Sequence, residues 1–470
     1  MNKNSCKWFF LIVFINLIFF VITIVNNNYS ISPLLPILPL LYLSSLVIFF
    51  MKRANIFKSI SVLMILGTFF IRIVVVPAIY VLANYSSKIS ISSFNINDAI
   101  ILQIWEYLWV FVMILFSKKI SNINKKKEEI QEQNIDKTKK ITKIALIFLL
   151  LIAIICVISD KNVMVSISTI FNRFFITTEE TIARRILYLE TKSKSSLLFN
   201  VFLQVVFYLQ ILIPAYLISI LAQKKNKKSN KGFYGILLVS IASTFIVTDN
   251  NIDSICIMIA CLIVLYNLYE SKMKKILPII CTVCVTFVIL FLFSKTGILN
   301  DNLNFQKISE IMCAYFAALP NIGISFSMNY TDKLLTFFGD IIAGVPYLMA
   351  IFKNYPQSLY IYNETIYGYK GYVDQIMPMI SYGYQYFNIF APILTIITYN
   401  IAFSFEIKSN KSNNAFSKVL YSLMFTNLSV GPCIFGFPNT IKRICLFIPL
   451  IILIKFNEKN KNRNVSYEKK

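Results

Sequence analysis

Arginine is scarce in this chain: seven residues against 39 lysines. Five of the seven, Arg72, Arg173, Arg184, Arg185 and Arg443, lie within apolar stretches or in the segments read below as outer loops. A guanidinium is a planar, permanently charged fork that meets two oxygens of a phosphate at once, which a lysine cannot do. Arg184 and Arg185 are adjacent in "TIARR", and Lys442 with Arg443 in "NTIKRICLF" guard the mouth of the last apolar run. Arg173, Arg184, Arg185, Lys442, Arg443 and the intramembrane Arg72 are therefore candidates for binding a pyrophosphate. Contact of an interfacial helix with lipid headgroups is the other reading of Arg173, Arg184 and Arg185. Three carboxylates could take a proton from a hydroxyl. Glu106 lies in "ILQIWEYLWVFV", and Asp249 and Asp253 are four residues apart in "TDNNIDS". An Asx turn and a helix N-cap are the structural alternatives for that last pair. Residues 355–386 hold nine tyrosines. Tyrosine rings stack on sugars and their hydroxyls bond sugar hydroxyls, so Tyr382, Tyr384 and Tyr386, with Asp374, are candidate sugar contacts. A belt of interfacial tyrosines is the alternative.

Other chemistries are closed by composition. There is no histidine, so histidine triads, ligands and proton relays are excluded. The nine cysteines fall mostly inside apolar runs, and "CTVC" at 281–284 has no second pair to complete a metal site. We expect no metal and no cofactor. The formal net charge is +24, but the lysines cluster in short loops between apolar runs, nine of them in 118–143. That distribution reads as membrane topology and not as nucleic-acid binding.

The elements that must position these residues are membrane helices. With 57% hydrophobic residues, 14% charged residues and a mean hydropathy of +0.67, the chain has more apolar surface than a soluble fold can hide. We expect an all-α polytopic membrane bundle of about twelve transmembrane helices. They run over 8–25, 33–51, 59–84, 99–117, 144–159, 197–222, 232–248, 253–269, 276–294, 376–404, 419–436 and 441–456. The first follows Lys3 and Lys7 and reads as an uncleaved span. Cationic loops alternate with loops that carry no cation, such as "NNNYSIS" and "TDNNID", which places both termini in the cytoplasm. The chain reads as a single membrane domain, 1–470. It has a basic cytoplasmic loop at 118–143, outer loops at 160–196 and 295–375, and a cytoplasmic tail at 457–470. The longest outer loop contains two semi-apolar stretches, 311–330 and 334–352, expected as re-entrant or interfacial helices or else as a further pair of spans that leaves both termini inside. Arg72 and Glu106 sit at similar depths in two spans joined by a short outer loop, so they are expected to pair. The pair is either a structural salt bridge or part of a substrate site.

An anion clamp, a sugar-stacking surface and a charge within the membrane fit one kind of substrate, a glycan carried on a polyprenyl pyrophosphate. The layout resembles the O-antigen polymerases, the Wzy-type oligosaccharide repeat unit polymerases. The resemblance rests on Arg72 and Pro77 in the third span and Glu106 in the fourth. It continues in "ILIPAY", "TDNNIDS" and "AYFAALPNIG", and in "DQIMPMISYGYQYFNIFAPILTIITY" at 374–399. It implies a GT-C-like membrane glycosyltransferase in a bacterial cytoplasmic (inner) membrane. Such an enzyme joins undecaprenyl-pyrophosphate-linked repeat units into O-antigen or capsule at the outer face, without metal. Membrane lipid, a chain-length regulator and a flippase would be its partners. A lipid-linked oligosaccharide flippase or transporter and an O-antigen ligase are the alternatives. The absence of histidine departs from a histidine-assisted mechanism.

Overall fold

The computed structural model describes residues 3–89, 93–123, 135–160, 163, 197–223, 231–244, 251–276, 305–348, 352, 355–369 and 375–467. All regular structure among them is helical. The helices are α1 (Lys3–Asn26), α2 (Ile37–Arg53), α3 (Ile60–Leu82), α4 (Ser93–Phe116), α5 (Lys118–Ile123), α6 (Ile135–Ser159), α7 (Leu197–Gln223), α8 (Lys231–Ala242) and α9 (Asn251–Leu268). After them come α10 (Phe305–Tyr315), α11 (Leu319–Gly323), α12 (Lys333–Gly344), α13 (Ser358–Tyr367), α14 (Met379–Phe387), α15 (Ile393–Lys411), α16 (Ala415–Ile434) and α17 (Phe437–Tyr467).

Five helices are long and apolar enough to cross a membrane, and up to seven if two bent helix pairs each count as one span. This is the make-up of a membrane-embedded protein. Helices occupy eleven of the twelve expected stretches, but several are short of a full crossing. The stretch 276–294 lies almost wholly outside the described residues. One expectation is corrected. The apolar run 376–404 is not a straight span, because α14 and α15 meet at an angle of 110°. Asn388 takes φ 47° there, outside the helical region, and Pro392 follows with no N–H to continue a ladder. A Cβ on Gly383 would stand 1.9 Å from the Ala391 carbonyl oxygen, so only glycine lets the bend fold back so closely.

The described chain forms two compact units. The first comprises Met1–Lys125, Ile298–Ser404 and Leu428–Phe447, and the second Lys126–Gly297, Phe405–Asn427 and Ile448–Lys470. In the first, α1 to α4 build the core, with Phe69, Tyr42 and Tyr107 in ring contact at 5.2 and 5.8 Å about Tyr107. α10 packs on the C-terminal end of α3, and α11 packs on α4. α10 and α11 meet at 54°, a broken span or a re-entrant loop. α12 is 12 residues long, about 18 Å, too short for a ~30 Å apolar layer. In the second unit, α6 lies along α7, and α8 packs on both α7 and α9. α6 shows Ile147, Phe148, Leu151, Ile155 and Ile158 on its exposed side, apolar where a soluble helix would be polar.

Candidate functional site

The local sequence explains where Arg72 points. α3 starts at Ser59, whose hydroxyl accepts from the Val62 amide at 3.3 Å. It then widens into a π turn over Ile71–Val75, with the Val76 amide donating to the Ile71 carbonyl. Pro77 lies just beyond: it cannot donate to the Ile73 carbonyl, and its ring crowds that turn, which favours the wider winding. The Arg72 carbonyl accepts instead from the Gln103 amide of α4 at 3.4 Å.

Arg72 and Glu106 are both fully buried and form an ion pair at 2.9 Å through Arg72 Nη1. The other carboxylate oxygen of Glu106 accepts from the Thr395 hydroxyl of α15 at 2.8 Å. One turn further along α15, the Tyr399 hydroxyl lies 3.7 Å from the Cys433 sulfur, which is 4.0 Å from Arg72 Nη1. The guanidinium is thus held by one nitrogen. Its Nε and Nη2, buried with it, have no hydrogen-bond partner among the described residues. Those two N–H groups lie on one edge of the plane and form the side-on fork that grips two oxygens in parallel. Leaving them unpaired costs about 1–3 kcal/mol apiece, an expense that a purely structural salt bridge would avoid.

A second cation sits on the same stretch of chain. The Arg443 Cζ lies 3.7 Å from the centre of the Phe435 ring, and the residue is 9% exposed. Lys442 beside it is half-buried. Between Cys433, which meets Arg72, and Phe435, which meets Arg443, there is one residue. Gly436 follows, so close to the Met377 carbonyl and the Tyr382 ring that a Cβ would be 2.9 and 3.1 Å from them. Phe437 then stacks on Phe337 of α12 at 6.0 Å. The turn between α16 and α17 therefore gathers both arginines and the tyrosine-bearing helix α14.

The α14 tyrosines divide. Tyr382 is 1% exposed and packs as core, so its ring is covered. Tyr384 is half-buried against Phe326 at 4.8 Å. Tyr386 is half-buried, and its hydroxyl donates to the Asp340 carboxylate of α12. Asp340 also accepts from the Ser358 amide at 3.0 Å, which caps α13 from a distance. Burial raises the Asp340 pKa from 3.8 to about 6, against the opposing pull of its Ser358 and Tyr386 hydrogen bonds.

Asp253 is in the second unit, in the first turn of α9 and not ahead of it as an N-cap, and accepts from Asn427 at 2.9 Å. Asp249, Arg173, Arg184, Arg185 and Asp374 lie outside the described residues. Sequence reasoning missed Thr395, Tyr399 and Cys433, whose contacts with Arg72 and Glu106 join residues hundreds of positions apart. It also passed over Asp340 as a site residue, although an aspartate inside "TFFGDIIAG" was the available signal. No family model, no curated protein and no solved structure matches the chain.

Proposed function

We propose that the chain is a membrane glycosyltransferase of the O-antigen polymerase type. It would transfer a growing glycan from undecaprenyl pyrophosphate onto an incoming lipid-linked repeat unit at the outer face of a bacterial cytoplasmic membrane. One observation carries this reading: the fully buried Arg72 is anchored by a single nitrogen and keeps its side-on fork unpaired. Two N–H groups left without a partner among the described residues suit a phosphate oxygen pair on a lipid carrier. Glu106 offsets the arginine charge while the site is empty of substrate. Its two oxygens hold Arg72 Nη1 and the Thr395 hydroxyl, which suits it to positioning Arg72. Arg443 and Lys442, at the same turn, would meet the charge that grows on the leaving pyrophosphate, and oriented cations in a dry site are the strongest means of stabilising it.

The test is polymerisation in detergent from a purified lipid pyrophosphate-linked repeat unit, with the glycans resolved on a gel. Wild type is expected to give a ladder, and Arg72→Lys and Arg443→Ala to lose it. Translocation of the same lipid in liposomes with no ladder would replace the polymerase reading with a flippase. Transfer to a lipid A core without a ladder would replace it with a ligase.

A further inference from the structure

Glu106 is committed to the ion pair with Arg72, and its second oxygen accepts from Thr395. The first unit holds another buried carboxylate. Asp340 is fully buried on α12, and its two oxygens face the Ser358 amide and the Tyr386 hydroxyl. The Ser358 hydroxyl is 2.5 Å from the Tyr386 hydroxyl, so three groups from three helices close on one point. Asp340 and Ser358 are 0% exposed, and Tyr386 is the one member of the three that is partly open. Its ring is held edge-on by Phe337 at 4.9 Å and by Tyr330 at 6.3 Å. The carboxylate meets no cation in these contacts: the titratable groups facing it are Tyr330, Tyr382 and Tyr386. Among the described residues its hydrogen-bond donors are neutral, which is how proteins keep a carboxyl basic enough to work near neutral pH.

We propose that Tyr386 and Asp340 form the proton acceptor for a sugar hydroxyl, with Tyr386 touching the acceptor and Asp340 positioned behind it. This rests on the polymerase reading and supplies its missing base. The acceptor oxygen forms a bond to the anomeric carbon as the bond from that carbon to the pyrophosphate oxygen breaks, and the electron pair leaves with the pyrophosphate. The acceptor proton passes to the Tyr386 oxygen while the Tyr386 proton passes to Asp340. Once product has left, the same path returns the proton to water. The geometry ties this dyad to the cations. Tyr382, one turn before Tyr386, lies on Gly436, next to the Phe435 ring that carries Arg443.

The experiment compares wild type with Asp340→Asn and Tyr386→Phe for polymerisation rate across pH, and for binding of undecaprenyl pyrophosphate in detergent. Asparagine still accepts from the Ser358 amide, and phenylalanine keeps the ring contacts, so thermal unfolding verifies that both variants fold. Loss of an acid–base group is expected to lower the rate by about 10²–10⁴-fold, with lipid binding unchanged. The wild-type rate is expected to rise as pH passes about 6, where Asp340 loses its proton, and that rise is expected to vanish in Asp340→Asn. A wild-type ladder with undiminished rate in either variant would overturn the dyad and leave the polymerase standing. Equal loss of rate and binding would make the cluster structural and overturn it as well. A wild type that binds the lipid yet forms no polymer would sink the polymerase reading and the dyad with it.

Discussion

The first unit buries two carboxylates in opposite ways. Glu106 is charge-compensated by Arg72 at 2.9 Å, whereas Asp340 is supported among the described residues by the neutral groups of Ser358 and Tyr386. Both are 0% exposed. Neutral donors compensate burial only in part, so the Asp340 proton stays within reach of ordinary pH. The contrast separates two tasks. The Arg72–Glu106 pair is built to keep a guanidinium in place, and the Asp340 cluster is built to exchange a proton.

The sharpest way to break this contrast is to remove one side of the ion pair. Glu106→Gln leaves a buried guanidinium without its counter-charge and is expected to cost about 3–5 kcal/mol in unfolding experiments in detergent. Arg72→Met combined with Glu106→Leu should recover most of that loss, because the net worth of a buried pair is small once both charges are gone. Recovery that fails would mean that the pair itself holds α3 against α4.

Asp340 gives the next largest effect, through pH. Its folded-state pKa is raised from 3.8 to about 6, so the folded chain holds this proton more tightly than the unfolded chain. The stabilisation is complete below about pH 4 and is lost as pH rises through about 6. It amounts to about 3 kcal/mol, taking ~1.4 kcal/mol for each tenfold change in proton affinity. Asp340→Asn should flatten that part of the stability curve. An unchanged slope between pH 4 and 6 would show that the carboxyl titrates normally.

Two smaller effects sharpen the comparison. Thr395→Val removes the hydroxyl that bonds Glu106 and is expected to cost about 1.5–3 kcal/mol, the usual range for a bond to a charged group. Gly339→Ala would put a Cβ 1.9 Å from the Pro356 carbonyl oxygen, forcing the chain before Ser358 away from Asp340. Overpacking of that kind costs about 1–3 kcal/mol, and here it should also move the pH dependence set by Asp340. A loss of stability with no change in that dependence would place the strain elsewhere.

Much of the ion pair was legible in sequence. Arg72 and Glu106 lie at matched depths in successive apolar runs, and a short outer loop makes such runs antiparallel neighbours. The π turn over Ile71–Val75 was not read from the sequence, although Pro77 just beyond it was the available signal. The bend at Asn388 was missed because mean hydropathy over 376–404 does not register one residue of positive φ, although Pro392 was an available signal. The role of Gly383 depends on Ala391 folding back onto it, a contact that exists only after the bend is made. The tyrosine run was visible as composition. Which ring is covered and which hydroxyl is engaged depends on α12 and α13, and no spacing rule within 355–386 reaches them.

The measurement that bears most directly on the account is the affinity of the purified protein for undecaprenyl pyrophosphate, with Arg72→Lys beside wild type. Lysine keeps the charge next to Glu106 and lacks the side-on fork. The account predicts at least a tenfold weaker complex for the variant, about 1.4 kcal/mol, with thermal unfolding close to that of wild type. Equal affinity in a folded variant would contradict it, and would return Arg72 and Glu106 to the role of a structural salt bridge.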